Sequence, residues 1–138
     1  ACIVEHAKLD LSFIADTTTY WYATDDLNEC HYLTMFLNSS YANEIIKPFQ
    51  ATGLLGPRHV HKKILEVPLP RYNAADAAHA RLAALGQTCA EKAKAYVTHH
   101  RGAIEGAALG KLRLELRAHL AEELTEGDLL LARLTEGG

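Results

Sequence analysis

The chain has 138 residues, of which 49% are apolar, and a formal net charge of −3 at neutral pH. This length predicts one domain with a single core, and it excludes a cofactor domain joined to a separate substrate domain. The overall charge argues against a generic nucleic-acid-binding protein, and no apolar run approaches the roughly 20 residues that cross a bilayer.

The cysteines and the N-terminus indicate a reducing compartment. Cys2, Cys30 and Cys89 are far apart and form no C-x-x-C pair, which argues against a zinc ribbon or a disulfide framework. Cys30 and Cys89 fall on apolar helical faces and are interpreted as small buried hydrophobic residues. No signal pattern opens the chain, so we predict a soluble, cytoplasmic protein without membrane contact. Because Ala1–Val4 is apolar and lacks an initiator Met, we expect a piece excised from a longer polypeptide.

A small β-element is predicted at the start of the chain. Residues 12–24 are rich in Phe, Ile, Thr, Tyr and Trp, and strand alternation places Tyr20 and Tyr22 on one face and Trp21 on the other. Residues 3–4 and 12–15 are candidate partners for this strand. Aromatic residues on a strand are more often core than a surface on which bases stack, and both interpretations stay open.

Two helices are predicted next. The first follows a cap at Thr24 or Asp25, with Asp and Glu in its first turn, and it should end at Asn38–Ser40, whose short polar side chains compete for backbone groups. The second runs from Tyr41 to about Phe49, with a proline near its end.

A turn over Gly53–Pro57 and a short strand around Val60–Val67 follow, and the prolines at 68 and 70 end that strand.

The sequence beyond Asn73 is strongly helix-forming, with Asn73 as the expected cap. An apolar seam recurs at helical spacing from Ala78 to Tyr96, and a further stripe runs from Ile104 to Leu124. Between them, residues 99–102 are a turn or a weak point in one long helix, and the histidines there are interpreted as an exposed helix end.

Three glycines four residues apart, Gly102, Gly106 and Gly110, would allow a close helix crossing or mark a loosely formed segment. Asp128 is the expected cap of a short final helix. The predicted fold is therefore α+β: an α+β recognition-like part over residues 1–72, and a part over residues 73–138 made of long helices, either a hairpin or packed helices. Together they form one domain.

Charge is distributed unevenly along the chain. Residues 1–42 hold one basic and six acidic residues, whereas residues 43–72 hold five basic and two acidic ones, a local net charge of +3. Residues 73–138 are close to neutral. Any positive field is therefore a local patch around the middle segment.

The strongest candidate site is residues 53–70, where a glycine-bounded turn delivers five basic side chains: Arg58, His59, His61, Lys62 and Lys63. Lys and Arg beside a proline-fixed backbone suit phosphate recognition, and Arg58 is able to form the bidentate contact to guanine. The alternative is a solvated basic edge that contacts nothing.

A metal site is a weaker hypothesis for the same segment. His59 and His61 would share one face of a strand, but Glu66 has the opposite parity and no other third ligand is near. No dinucleotide loop, P-loop, G-x-S-x-G or H-E-x-x-H motif occurs, so we do not expect an enzyme in this chain alone.

The order of these motifs resembles a known family. Thr19–Tyr22, Glu29–Ser39, Phe49–Gln50, Gly56–Pro70 and the closing Glu126–Leu130 resemble the C-terminal region of large adenine-specific N6 DNA methyltransferases of restriction–modification and phage-defence systems. The group's "YYL..LNS" pattern is matched within residues 32–39, and its "GPRHIHKK..E.PIP" pattern is matched at 56–70.

The resemblance implies a target-recognition module without methyl-transfer machinery. In such proteins a catalytic domain holds the S-adenosylmethionine pocket and an N-P-P-[YF] motif, which this chain lacks. We therefore expect no cofactor here, S-adenosylmethionine in the catalytic domain of the same polypeptide, and double-stranded DNA as partner. The candidate DNA-binding residues are Arg58, His59, His61, Lys62, Lys63, Lys47 and Gln50.

Two other functions remain open at this point. The helices over residues 74–124 would serve a protein-interaction or dimerisation module, in which case the chain forms a homo-oligomer or docks another subunit. A His-based metal nuclease built on His59 and His61 is the remaining alternative.

Overall fold

The computed structural model describes residues 1–4, 20–49, 52–53, 56–57, 64, 66–67, 69–100 and 109–136, with only the backbone described at 52–53 and 56–57. In these residues the chain forms five α-helices: α1 Leu27–Asn38, α2 Ser40–Ile46, α3 Ala77–His99, α4 Leu109–His119 and α5 Ala121–Glu136. A 3-10 turn at Lys47–Phe49 and a short antiparallel pair, β1 (Thr52–Gly53) with β2 (Gly56–Pro57), lie between α2 and α3.

The predicted α+β fold is wrong, because the described chain is 76% helical. Residues 20–24, the described end of the predicted N-terminal strand, are irregular, as are Ile3 and Val4, its suggested partners. The β1–β2 pairing joins two residues on each side, which is too short to form a layer. The elements that fill the core are therefore helices.

The N-cap of the first helix is neither Thr24 nor Asp25, the two predicted residues, but the next one along the chain. Asp26 is the N-cap, and its Oδ1 accepts from the N–H groups of Asn28 at 2.8 Å and Glu29 at 3.4 Å. Thr24 assists, because its hydroxyl accepts from the N–H of Asp26. The carboxylate satisfies donors that the first helical turn leaves unpaired.

The end of α1 is confirmed at Asn38, and Ser39 both closes α1 and opens α2. Its hydroxyl donates to the Phe36 carbonyl and accepts from the N–H of Ala42. Asp128 was predicted to cap a short final helix, but it lies inside α5. There its Oδ1 accepts from the N–H of Tyr41 at 3.1 Å and so caps α2 from another helix.

The long helix α3 packs along α1. Its N-cap is Asp76 rather than Asn73, with Oδ1 accepting from the N–H groups of Ala78 and His79. Gly86 permits the close approach, since a β-carbon there would meet the backbone of His31 on α1. This contact joins the 1–72 and 73–138 parts of the chain in one core.

The core lies between α1, α2, α3 and α5. Its central side chains share almost complete burial: Tyr32, Met35, Phe36, Ala42, Ile46, Ile64, Leu82, Ala83, Leu85, Leu124 and Leu131. Leu82 and Leu85 confirm the first half of the predicted apolar seam. Ion pairs at the edge tie α3 to α5, with Arg81 binding both oxygens of Glu126 at 2.6 and 2.7 Å.

The fourth helix is attached differently, because none of its residues is buried. Leu112 and Leu116 from the predicted stripe are only half-buried, while Leu109 and Leu114 are exposed. A β-carbon added at Gly110 would have no atom within 4 Å, so no close crossing forms there. Gly102 and Gly106 lie outside the described residues.

None of the described helices combines the length and the apolar composition that crossing a membrane demands.

Candidate functional site

The predicted basic site lies mostly outside the described residues. Arg58, His59, His61, Lys62, Lys63 and Gln50 are in that group, and Lys47 is the one predicted site residue that the structure describes. The structure does describe the chain on both sides of residues 58–63. The candidate site is therefore described through the residues on either side of this segment.

On the N-terminal side, Lys47 begins the 3-10 turn that follows α2. Its side chain is 62% exposed, and its Nζ lies 3.4 Å from both carboxylate oxygens of Glu44, which is itself 66% exposed. An exposed pair of this kind contributes at most about 1 kcal/mol and is screened by salt. Lys47 is consequently able to exchange Glu44 for an external anion.

The glycine-bounded turn is confirmed. Thr52 pairs with Pro57 and Gly53 with Gly56, which leaves a two-residue connection between the strands. The paired strand therefore ends at Pro57, directly before the predicted basic segment.

On the C-terminal side, Ile64 is buried in the core at 7% exposure. Ile64 and Glu66 are in 3-10 conformation and Val67 is in a bend, so the predicted strand is wrong over its described residues. Strand alternation was the reason for placing Glu66 on the opposite face from the histidines, and it does not apply to a 3-10 backbone. A single apolar side chain anchors this end of the segment.

Aromatic packing fixes the chain that follows. The hydroxyl of Tyr32, on α1, donates to the Pro70 carbonyl at 2.9 Å. The Tyr32 ring packs against Tyr72 and His79, with ring centroids 5.5 and 5.0 Å away. The N–H of Asn73 donates to Nδ1 of His79 at 3.1 Å, so this buried histidine serves as an acceptor in the core. Burial, followed by the charge of Asp76, raises the pKa of Tyr32 to about 12 and keeps its hydroxyl a donor.

Arg71 was not among the predicted site residues, although it belongs to the same basic stretch. Its side chain is exposed, and it forms no ion pair with any carboxylate in the described part of the chain. Asp76, which is close in sequence, commits Oδ1 to capping α3. The local charge count includes Arg71, and this was the signal that could have found it.

A second basic group lies on α4. Arg117 donates to the Asn38 carbonyl at 3.3 Å and to the Ser40 hydroxyl at 3.2 Å, so it sits where α1 passes into α2. Arg113 lies near the amino group of Ala1, since its charge contributes to lowering the pKa of that amine, behind the larger effect of burial. Arg117 is partly engaged in holding α4 against the helix junction.

The described residues offer little for catalysis. Among them, no group of three or more His, Cys, Asp and Glu side chains is placed to hold a metal ion, and His59 and His61 lie outside this set. Burial raises the pKa of both Cys30 and Cys89, which makes each a weaker nucleophile at neutral pH. Both thiols are half-buried on helices, close to the predicted buried position.

Of the two interpretations left open for the N-terminal aromatic residues, placement in the core is wrong. Tyr20, Trp21 and Tyr22 are 53%, 67% and 65% exposed, and they precede α1 in an irregular segment. Among the described residues these side chains have no partner strand and therefore no second layer to pack against. The histidines at 99 and 100 are exposed at the end of α3, which confirms that interpretation.

Comparison of the chain with protein-family models, curated proteins and solved structures finds no match.

Proposed function

We propose that this chain is a DNA-binding, target-recognition module of an adenine-specific N6 DNA methyltransferase of a restriction–modification system. It would present double-stranded DNA to a catalytic domain of the same polypeptide. Methyl transfer and S-adenosylmethionine binding belong to that other domain in this proposal. The motif resemblance supplies the reaction class, and the flanks of the basic segment supply the physical argument.

One observation supports the proposal: described contacts lie on both sides of the basic segment 58–63. The β1–β2 pairing precedes it, and the buried side chain of Ile64 follows it. A short segment held at both ends loses less conformational freedom when it binds, so more of the contact energy remains as affinity. The segment between these contacts has five basic side chains in six residues.

The exposed cations beside that segment support the same function. Lys47 precedes the hairpin with only a screened partner, and Arg71 follows the Pro70 anchor with no ion pair to a described carboxylate. Together with Arg58, Lys62 and Lys63 they give a patch that neutralises a few phosphates. Such a patch predicts weak, strongly salt-dependent binding by the module alone.

The test is a titration of a fluorescein-labelled duplex, followed by anisotropy at several salt concentrations. Lys62→Ala/Lys63→Ala should weaken binding and reduce the salt slope by about 1.8, since each phosphate contact contributes about 0.9. Arg58→Ala should weaken binding as well. Lys111→Ala is the matched control, because its ammonium is 76% exposed and 3.8 Å from Glu115, far along the chain from the segment. Wild-type affinity and slope in both site variants would refute the proposal.

A second function is favoured by α4. This helix buries none of its residues, and Leu109 and Leu114 are 61% and 72% exposed. A helical protein-interaction or dimerisation module would use these exposed leucines. The predicted seam on α3 is a poorer candidate, because Leu82 and Leu85 are buried within the chain. Sedimentation at several concentrations, compared with Leu109→Ser/Leu114→Ser, distinguishes this function from DNA binding.

A further inference from the structure

Three consecutive aromatic side chains are exposed in the irregular segment before α1. Tyr20, Trp21 and Tyr22, here called the aromatic surface, are each more than half exposed, and Leu27 nearby is 50% exposed. Aromatic side chains contribute much of the energy of protein interfaces, because they bury large areas and lose few rotamers. Most of the area of these three rings is still available to a partner.

The charge around the aromatic surface determines what kind of partner fits. Asp25, Asp26 and Glu29 follow it directly, and no Lys or Arg occurs between Lys8 and Lys47. The Tyr22 hydroxyl donates to Glu29 Oε1 at 3.3 Å, which places that carboxylate at the edge of the surface. Aromatic rings alone would suit unpaired bases, but a phosphate backbone is repelled by this negative field.

The three carboxylates differ in how far they are already engaged. Asp26 caps α1 through Oδ1, and its charge offsets the positive end of the helix dipole. Glu29 accepts one hydrogen bond from Tyr22 and keeps its second oxygen for another donor. Asp25 is exposed and makes no hydrogen bond to another described residue. Two carboxylates beside exposed rings therefore remain able to receive a cation.

We propose that the aromatic surface binds an Arg- or Lys-containing peptide segment of a partner protein. A guanidinium or ammonium group gains from the face of an aromatic ring, most of all from Trp, and Asp25 and Glu29 neutralise its charge. Charge complementarity selects this partner over a nucleic acid. The inference is independent of the DNA-binding proposal, which concerns residues 47–71.

The experiment uses Trp21, the only tryptophan of the chain, as its own reporter. A capped penta-arginine peptide should change Trp21 emission saturably, and the affinity should fall several-fold as ionic strength rises to about 0.15 M. With a fluorescein-labelled peptide followed by anisotropy, Trp21→Ala should weaken binding about two- to five-fold, and Trp21→Phe less. Asp25→Asn should weaken it by a similar factor.

The matched control is Glu122→Gln, which removes an exposed carboxylate from the first turn of α5. This variant should bind the peptide like the wild type, and a penta-glutamate peptide should not bind. Because every substituted side chain is exposed, circular dichroism should show unchanged helicity.

Four results would overturn the proposal. These are an absence of saturable binding at millimolar peptide, an equal loss in Glu122→Gln, tighter quenching of Trp21 by oligothymidylate than by the peptide, or a Trp21 response that depends on protein concentration alone. The third would assign the aromatic surface to unpaired bases, and the last to a second copy of this chain.

Discussion

Gly86→Ala should destabilise the protein more than Gly110→Ala or Gly127→Ala, because it disrupts the contact between α1 and α3. Gly86 is buried on α3, and a β-carbon there would lie 2.9 Å from the carbonyl carbon of His31 and nearer still to its carbonyl oxygen. Both atoms belong to the backbone of α1. No side-chain rotation can relieve the overlap, so one helix must move.

The size of the effect follows from two opposing contributions. Ordinary contact begins at 3.4 Å, so the carbonyl carbon has to retreat by half an ångström and the oxygen by more. Added atoms in a packed core cost about 1–3 kcal/mol, and the upper end applies when backbone must shift. Replacing Gly by Ala inside a helix recovers about 1 kcal/mol. The net expectation is a loss of about 2 kcal/mol in the free energy of unfolding.

Urea unfolding followed by circular dichroism measures this difference. Gly110→Ala is the matched control, since nothing lies within 4 Å of the added carbon and its stability should be unchanged or slightly higher. Gly127→Ala is an intermediate case, because the added carbon meets the flexible end of the Met35 side chain. If Gly86→Ala were as stable as Gly110→Ala, the close helix approach would be refuted.

Three further predictions concern single side chains. The N–H groups of His79 and Ala78 hold the pKa of Asp76 below its ordinary value, so its stabilisation is present above that value and is lost as pH falls through the lowered pKa. Asp76→Asn, which still caps, should show a smaller loss of stability in acid, and an unchanged pH dependence would contradict this. Asp128→Ala should cost about 1 kcal/mol in urea unfolding by uncapping α2; a neutral result would remove that role. Cys2, which is exposed, should react with a thiol reagent well before Cys89, whose pKa is raised by burial, and equal rates would count against the packing.

Helix boundaries set by local chemistry could be predicted from the sequence. The break at Asn38–Ser40 was correct because Ser39 both accepts and donates hydrogen bonds to neighbouring backbone, an effect within four residues. The role of Asp128 could not be predicted in this way. Its carboxylate accepts from the N–H of Tyr41, 87 positions earlier, so only the folded chain brings donor and acceptor together.

The errors on strands have a related cause. Aromatic and β-branched residues at 17–24 have high strand propensity, but a strand also needs a partner, and residues 20–24 have none among the described residues. The regular spacing of three glycines was also a poor guide to where helices approach closely. Gly110, one of the three regularly spaced glycines, faces open space, whereas Gly86, which has no glycine partner at four-residue spacing, lies at the tight contact.

The composition of the candidate site could be predicted from the sequence, but the long-range contacts of the residues beside it could not. Five basic residues in a glycine-bounded turn are visible in the sequence. The hydrogen bond from Tyr32 to Pro70, by contrast, joins residues 38 positions apart, and no local pattern announces it. Arg71 was passed over although the charge count of residues 43–72 includes it.

The weak attachment of α4 gives the molecule two levels of stability. This helix is secured by Arg117 at the α1–α2 junction and by Tyr96, whose hydroxyl donates to Glu115 at 3.2 Å, rather than by buried side chains. Polar links of this kind break at far lower cost than a packed interface. We therefore expect local detachment of α4 to cost less free energy than separation of the packed helices α1, α2, α3 and α5.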